Sequence, residues 1–90
     1  MEILNLLPFV IDKFGHIGIA EPLTFAANMW CISEKAFNSV AGTKFSWIAP
    51  NGESCIDHRD NFSRPTAEQV ISRITPALKS KALEQGLITV

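Results

Sequence analysis

The chain has 90 residues, of which 47% are hydrophobic and 19% are charged, and its formal net charge is −1. A chain of this length forms one small domain, residues 1–90, which buries roughly 60–65% of the surface that its unfolded state exposes. The near-zero charge excludes a strong field of one sign that would steer the protein toward nucleic acid or a membrane surface. High apolar content with few charges instead favours an apolar surface kept for a partner, for which a homodimer is the simplest case.

The apolar start of the chain, residues 3–11, is interrupted by Asn5 and Pro8 and is followed by Asp12. It is far shorter than the roughly 20 residues that a helix needs to span a bilayer. The acidic residue Glu2 stands where a signal peptide carries positive charge. We therefore expect a cytoplasmic protein without a membrane partner.

The residues that carry chemistry form no recognisable catalytic or metal site. The potential zinc ligands have none of the short spacings of a chelating pair; they are His16, Cys31, Cys55 and His58. Cys55 and His58 are three positions apart in a predicted strand, so their side chains point to opposite faces. Residues 58–60 repeat the letters of a protein-kinase catalytic loop, but the chain has no room for the two-lobed domain in which that loop works. We expect free thiols, no metal, no cofactor and no enzymatic activity.

The first predicted element is a helix within residues 2–14, where apolar residues have nearly helical spacing and Gly15 ends the pattern. Pro8 fits the interior of that helix badly, so an alternative is a helix that begins at Pro8 after an extended segment over residues 1–7. Residues 16–19 alternate and predict a brief strand.

Two short helices are predicted next. Pro22 suits the first position of a helix over residues 22–29, because its fixed φ angle is already helical. Ser33 suits the N-cap of a second helix over residues 34–40, which Gly42 closes.

A β-hairpin over residues 44–57 is predicted by apolar alternation on both sides of Asn51-Gly52, which is the strongest short signal for a two-residue turn. Such a loop places three pairs opposite one another: Pro50 and Glu53, Ile48 and Cys55, and Trp47 and Ile56. One side of the hairpin then faces the core, and it comprises Phe45, Trp47, Ala49, Ile56 and His58.

Two C-terminal helices are predicted by their caps. Thr66, with Gln69 three residues later, forms a capping box, and Thr75 caps a last helix that starts at Pro76 and ends at Gly86. An inward apolar stripe is predicted from Val70, Ile71, Ile74 and Leu78. The last apolar residues predict an edge strand or a contact with a partner; they are Leu87, Ile88 and Val90.

The spacing of residues 27–40 is that of a helix-turn-helix. Ala27 is small enough for the crossing of two helices, and Ile32 can fill the angle between them. Cys31 stands in the turn, where glycine is usual, and Phe37 and Val40 face inward from the second helix. With the hairpin that follows, this stretch resembles the winged helix-turn-helix of small bacterial and phage regulators over residues 15–58.

The resemblance implies an α+β fold, a small winged helix-turn-helix-like domain whose helices pack on a β-hairpin, with a C-terminal helical extension. It also implies a dimeric DNA-binding regulator that acts sterically, with a recognition helix in the major groove of each half-site. Phosphate and base-edge contacts with duplex DNA would then come from Ser33, Lys35, Asn38, Ser39 and Lys44.

A second function of another class fits the same composition. Amphipathic helices packed on a hairpin have the same apolar pattern without any nucleic-acid role. The chain would then be a small inhibitor or adaptor, for example phage-encoded, that blocks another macromolecule through an apolar surface. Salt dependence distinguishes the two hypotheses, because groove binding weakens steeply with salt and an apolar interface does not.

Overall fold

A computed structural model describes residues 1–21, 42 and 44–90 of the chain. The helices predicted over residues 22–29 and 34–40, and with them the helix-turn-helix, lie outside the described residues. So do four of the five residues predicted to contact DNA, namely Ser33, Lys35, Asn38 and Ser39.

The described residues form a small α+β domain with a five-stranded antiparallel sheet, a two-stranded ribbon and two α-helices. The elements are β1 (Glu2–Ile3), β2 (Phe9–Asp12), β3 (Ile17–Ala20), β4 (Lys44–Ile48), β5 (Ser54–His58), a 3₁₀ turn (Arg59–Asn61), β6 (Phe62–Ser63), α1 (Ala67–Arg73), α2 (Pro76–Glu84) and β7 (Ile88–Thr89). Neither of these two described helices has the length and apolar character that crossing a membrane requires.

The helix predicted within residues 2–14 is wrong, because this segment forms β1 and β2. In β2, Phe9 and Ile11 face one side of the sheet and Val10 faces the other, and all three are buried. A strand buried on both faces is a continuous apolar run, which periodicity cannot distinguish from a helix. The strand predicted at residues 16–19 is confirmed as β3.

The sheet is strongly curled. Its strand order is β5-β4-β3-β2-β6, so the two edge strands are joined only by the 3₁₀ turn. A flat sheet of five strands is about 19 Å wide, whereas the four residue steps from His58 to Phe62 reach about 14 Å at most. The edges must therefore approach each other. Accordingly, the rings of Trp47 on β4 and Phe62 on β6 meet edge to face, with centroids 4.7 Å apart.

The curl gives the sheet two buried faces. The inner, concave face carries Val10, Gly18, Ala20, Trp47 and Phe62. The outer face packs against the two helices and the C-terminal segment in the main apolar cluster, whose fully buried members include Phe9, Ile17, Ile19, Val70, Leu78 and Ala82. Burial on both faces explains why so small a chain is so apolar.

The β4–β5 hairpin is confirmed, but the predicted register is wrong by one residue. Trp47 lies opposite Cys55, and Ile56 lies opposite Ser46. The loop has three residues instead of two, since the Ala49 N–H donates to the Glu53 carbonyl at 2.8 Å and the Gly52 N–H donates back to the Ala49 carbonyl at 2.8 Å.

The shift of one residue moves the side chains of β5 to the face of the sheet opposite to the predicted one. Trp47 and Ala49 are buried as predicted, but Ile56 is 72% exposed and His58 lies on the same side as Ile56. The shift in register is caused by the three-residue loop, which Gly52 permits because its φ of +86° allows a type I turn followed by a left-handed residue.

The C-terminal caps are confirmed. The Thr66 side chain accepts from the Gln69 N–H, and the Gln69 side chain accepts from the Thr66 N–H. The Thr75 side chain caps α2. The predicted apolar stripe is confirmed for Val70 and Leu78, which are buried. Ile71 is instead 52% exposed, because α1 is only two turns long and presents that position to solvent. After α2, Leu87 and Ile88 are buried, β7 pairs with β1, and Val90 is exposed; the prediction of an edge strand is confirmed.

Candidate nucleic-acid interface

The turn between β2 and β3 has the same construction as the turn between β4 and β5. The Asp12 N–H donates to the His16 carbonyl and the Gly15 N–H donates to the Asp12 carbonyl, both at 3.0 Å. Gly15 has a φ of +85°, the counterpart of Gly52 in the other turn. We call residues Lys13, Phe14, Gly15 and His16 the hairpin tip.

The Asp12 carboxylate fixes the backbone of the hairpin tip. Its Oδ1 atom accepts from the N–H of Phe14 at 2.9 Å and from the N–H of His16 at 2.8 Å. Its Oδ2 atom lies 3.4 Å from His16 Nδ1, and the Asp12 side chain is 14% exposed against 63% for His16. The negative charge of the turn is therefore directed inward, against its own backbone.

Phe14 is 75% exposed at the hairpin tip. Lys13 Nζ lies 5.5 Å from the centroid of its ring, and the His16 ring lies 6.5 Å away at a tilt of 40°. An ammonium at this distance is attracted by the ring quadrupole, although the contribution at an exposed site is small. The exposed side of the hairpin tip thus combines an aromatic ring with a lysine and a histidine.

A second cation is attached to the hairpin tip from α1. Arg73, the last residue of that helix, is exposed, and its Nη1 donates to the Gly15 carbonyl at 3.3 Å. A Cβ on Gly15 would lie 2.6 Å from the same Nη1 atom, so the glycine permits this contact. The guanidinium of Arg73 and the ammonium of Lys13 therefore both contact residues of one turn, although the two residues are far apart in the sequence.

Lys44, the described member of the predicted DNA-contact set, lies elsewhere. It is exposed at the first residue of β4, opposite His58. His58 Nδ1 accepts from the Asp60 N–H at 3.3 Å, and Asp60 Oδ1 accepts from the Gly42 N–H at 3.0 Å. Among the described residues, no hydrogen bond, ion pair or ring contact joins Lys44 to the hairpin tip; its partner across the sheet is His58.

Cys55 and His58, the two described residues of β5 with catalytic potential, do not converge. Cys55 lies opposite Trp47 and His58 lies opposite Lys44, so the two side chains are on opposite faces of β5, as the alternation predicts. Within residues 1–21, 42 and 44–90, no three His, Cys, Asp or Glu side chains are grouped as they would be to hold a metal ion.

Sequence reasoning missed the hairpin tip because it assigned residues 2–14 to a helix, with Phe14 in its last turn. The available signal was Asp12 three residues before Gly15, a pattern typical of a turn whose aspartate accepts from its own backbone. Nothing in the sequence indicated that Arg73, 58 residues further on, contacts that turn.

The described part of the chain is thus a small α+β domain that presents a cationic, aromatic hairpin tip on a curled antiparallel sheet. No protein-family model, curated protein or solved structure matches this chain.

Proposed function

We propose that the protein is a small nucleic-acid-binding regulatory protein that acts sterically, without catalysis, and that the hairpin tip is one of its contact surfaces. The observation that carries the proposal is the exposure of Phe14 between Lys13 and His16, with Arg73 bound to the same turn. Phosphates attract the two cations, and nucleobases offer flat surfaces to the ring.

The direction of the charges supports an anionic ligand, and the exposed Phe14 ring adds a surface on which a base can stack. The carboxylate of Asp12 is largely buried in the turn, so the exposed charge at the hairpin tip is positive although the whole chain carries −1. A local patch is sufficient for phosphate contacts, because screening at physiological salt limits the influence of distant charges to about 8 Å.

The winged helix-turn-helix remains part of the proposal as a sequence-based hypothesis about residues 27–40. In that hypothesis, Ser33, Lys35, Asn38 and Ser39 reach duplex DNA, the protein is a homodimer, and Lys44 contacts the backbone next to them. The hairpin tip is a second surface in this proposal, in addition to the residues of that hypothesis.

The proposal is tested by fluorescence anisotropy of labelled nucleic acid, titrated with the protein at low and at near-physiological salt. We expect binding that collapses as salt rises. The double variant Lys13→Gln and Arg73→Gln should weaken binding at least tenfold and lower the slope of log affinity against log salt by about 2.

The matched control is Lys79→Gln with Lys81→Gln on α2, which removes the same charge from another surface and should change the affinity less than twofold. Equal losses in both double variants would mean that only net charge matters, and the hairpin tip would then have no specific role. No binding at low salt would contradict the proposed function itself.

A protein-binding inhibitor or adaptor is the second candidate, and one observation favours it. Ile56 is 72% exposed on β5, which is an edge strand of the sheet. An exposed apolar residue on a strand edge can contact a partner strand. In that case the complex would persist at high salt, and Ile56→Ser would weaken it while Lys13→Gln would not.

A further inference from the structure

We infer that Phe14 stacks on the face of an unpaired base, so that the hairpin tip prefers single-stranded nucleic acid to a duplex. This inference rests on the proposed function and assigns the kind of strand that the hairpin tip recognises.

The chemistry of the phenyl ring points to base faces. Phenylalanine has no hydrogen-bonding group, so it cannot read the donors and acceptors that base edges present in a groove. In a duplex the base faces are covered by their neighbours, whereas in a single strand each base can stack on an exposed aromatic ring. The Phe14 ring, which is 75% exposed at a turn, can therefore stack on a nucleic acid mainly where the bases are unpaired.

The backbone that carries the ring is held in place before any ligand binds. The Phe14 N–H donates to Asp12 Oδ1 at 2.9 Å, and the next carbonyl, that of Gly15, accepts from Arg73 at 3.3 Å. A ring on a backbone fixed on both sides loses less conformational freedom on binding than one on an unattached loop.

The positions of the cations suit a strand that passes across the ring. Lys13 Nζ lies 5.5 Å from the ring centroid, and Arg73 contacts the residue that follows Phe14 in the chain. A nucleotide whose base stacks on Phe14 has its phosphates within reach of both side chains. One ring contacts one or two bases, and stacking is tolerant of base identity, so we expect little sequence preference at the hairpin tip.

The test compares a labelled thymidine oligomer with a duplex of the same length at low salt, for the wild type and for Phe14→Ala. We expect Phe14→Ala to weaken single-strand binding about tenfold or more, while duplex affinity changes less than twofold. Phe14→Trp should retain single-strand binding. Ile71→Ala, which removes another exposed apolar side chain, is the matched control and should change neither affinity.

Two outcomes would overturn the inference while the proposed function stands. In the first, Phe14→Ala lowers the affinity for the single strand and for the duplex equally. In the second, Phe14→Ala lowers neither affinity, although the double variant Lys13→Gln and Arg73→Gln still binds more weakly than the wild type. If the wild type binds neither ligand at low salt, the proposed function fails and the inference fails with it. Far-ultraviolet circular dichroism of each variant establishes that a loss of affinity is not a loss of fold.

Discussion

The indole of Trp47 lies directly against the backbone of Gly18. A Cβ atom built on Gly18 would be 2.2 Å from Cε3 of Trp47 and 2.8 Å from the Ile48 carbonyl oxygen. Gly18 is on β3 and pairs with Val10 on β2, so the ring extends from β4 across the neighbouring strand of the inner face and meets Phe62. The absence of a side chain at Gly18 lets this ring fill the interior of the curled sheet.

We therefore expect Gly18→Ala to lower the free energy of unfolding by about 3 kcal/mol, at the upper end of overpacking costs, because one of the close neighbours is backbone. Urea unfolding measures the difference. In a Trp47→Leu background the same substitution should cost less, about 1–2 kcal/mol, because the indole is gone while the Ile48 carbonyl oxygen still lies 2.8 Å from the new Cβ. A cost for Gly18→Ala that is unchanged in this background would mean that Trp47 is not the neighbour responsible.

Thr75 connects two parts of the structure, so its removal should cost more than the removal of a simple cap. Its Oγ1 atom accepts from the Leu78 N–H at 3.2 Å as the cap of α2, and it donates to the Pro50 carbonyl in the β4–β5 loop. We expect Thr75→Ala to destabilise by about 2 kcal/mol and Thr66→Ala, which removes a cap alone, by about 1 kcal/mol.

Thermal and urea unfolding of both variants check this order. Thr75→Ser retains the hydroxyl and serves as the control, with an expected change of less than about 0.5 kcal/mol. Equal costs for Thr75→Ala and Thr66→Ala would indicate that the contact with the Pro50 carbonyl contributes nothing to stability.

The register of the β4–β5 hairpin is directly measurable. Hydrogen bonding between Ala49 and Glu53 makes Ser46 and Ile56 a non-hydrogen-bonded pair, in which the Cα atoms of antiparallel strands are about 4.5 Å apart. We expect a strong nuclear Overhauser effect between the α-protons of Ser46 and Ile56. A strong effect between Trp47 and Ile56 instead would restore the two-residue loop that Asn51-Gly52 predicts.

Of the candidate site, little could be predicted from the sequence. Lys44 was expected to contact DNA and is exposed, but no described contact joins it to the hairpin tip. The other four expected residues lie outside the described part of the chain. Phe14 was interpreted as part of an apolar helix face. Its exposure depends on where β2 ends, and the contact of Arg73 with Gly15 depends on how α1 packs against the sheet.

Features that depend on a few neighbouring residues could be predicted from the sequence. The capping box of Thr66 and Gln69, the cap at Thr75 and the left-handed end at Gly86 were all predictable, because each involves hydrogen bonds or backbone angles within one turn. The existence of the β4–β5 hairpin was predictable for the same reason.

The conformation of residues 9–12 and the register of the β4–β5 hairpin instead depend on contacts between distant parts of the chain. The apolar run at Phe9–Asp12 is compatible with a helix or a strand, and it became a strand because both faces of the sheet are buried, one by the helices and one by the curl. The hairpin register followed from the choice of a three-residue loop, which places Cys55 opposite Trp47 and leaves Ile56 exposed. Burial of side chains from distant strands selects among local conformations of similar energy, and no local pattern contains that information.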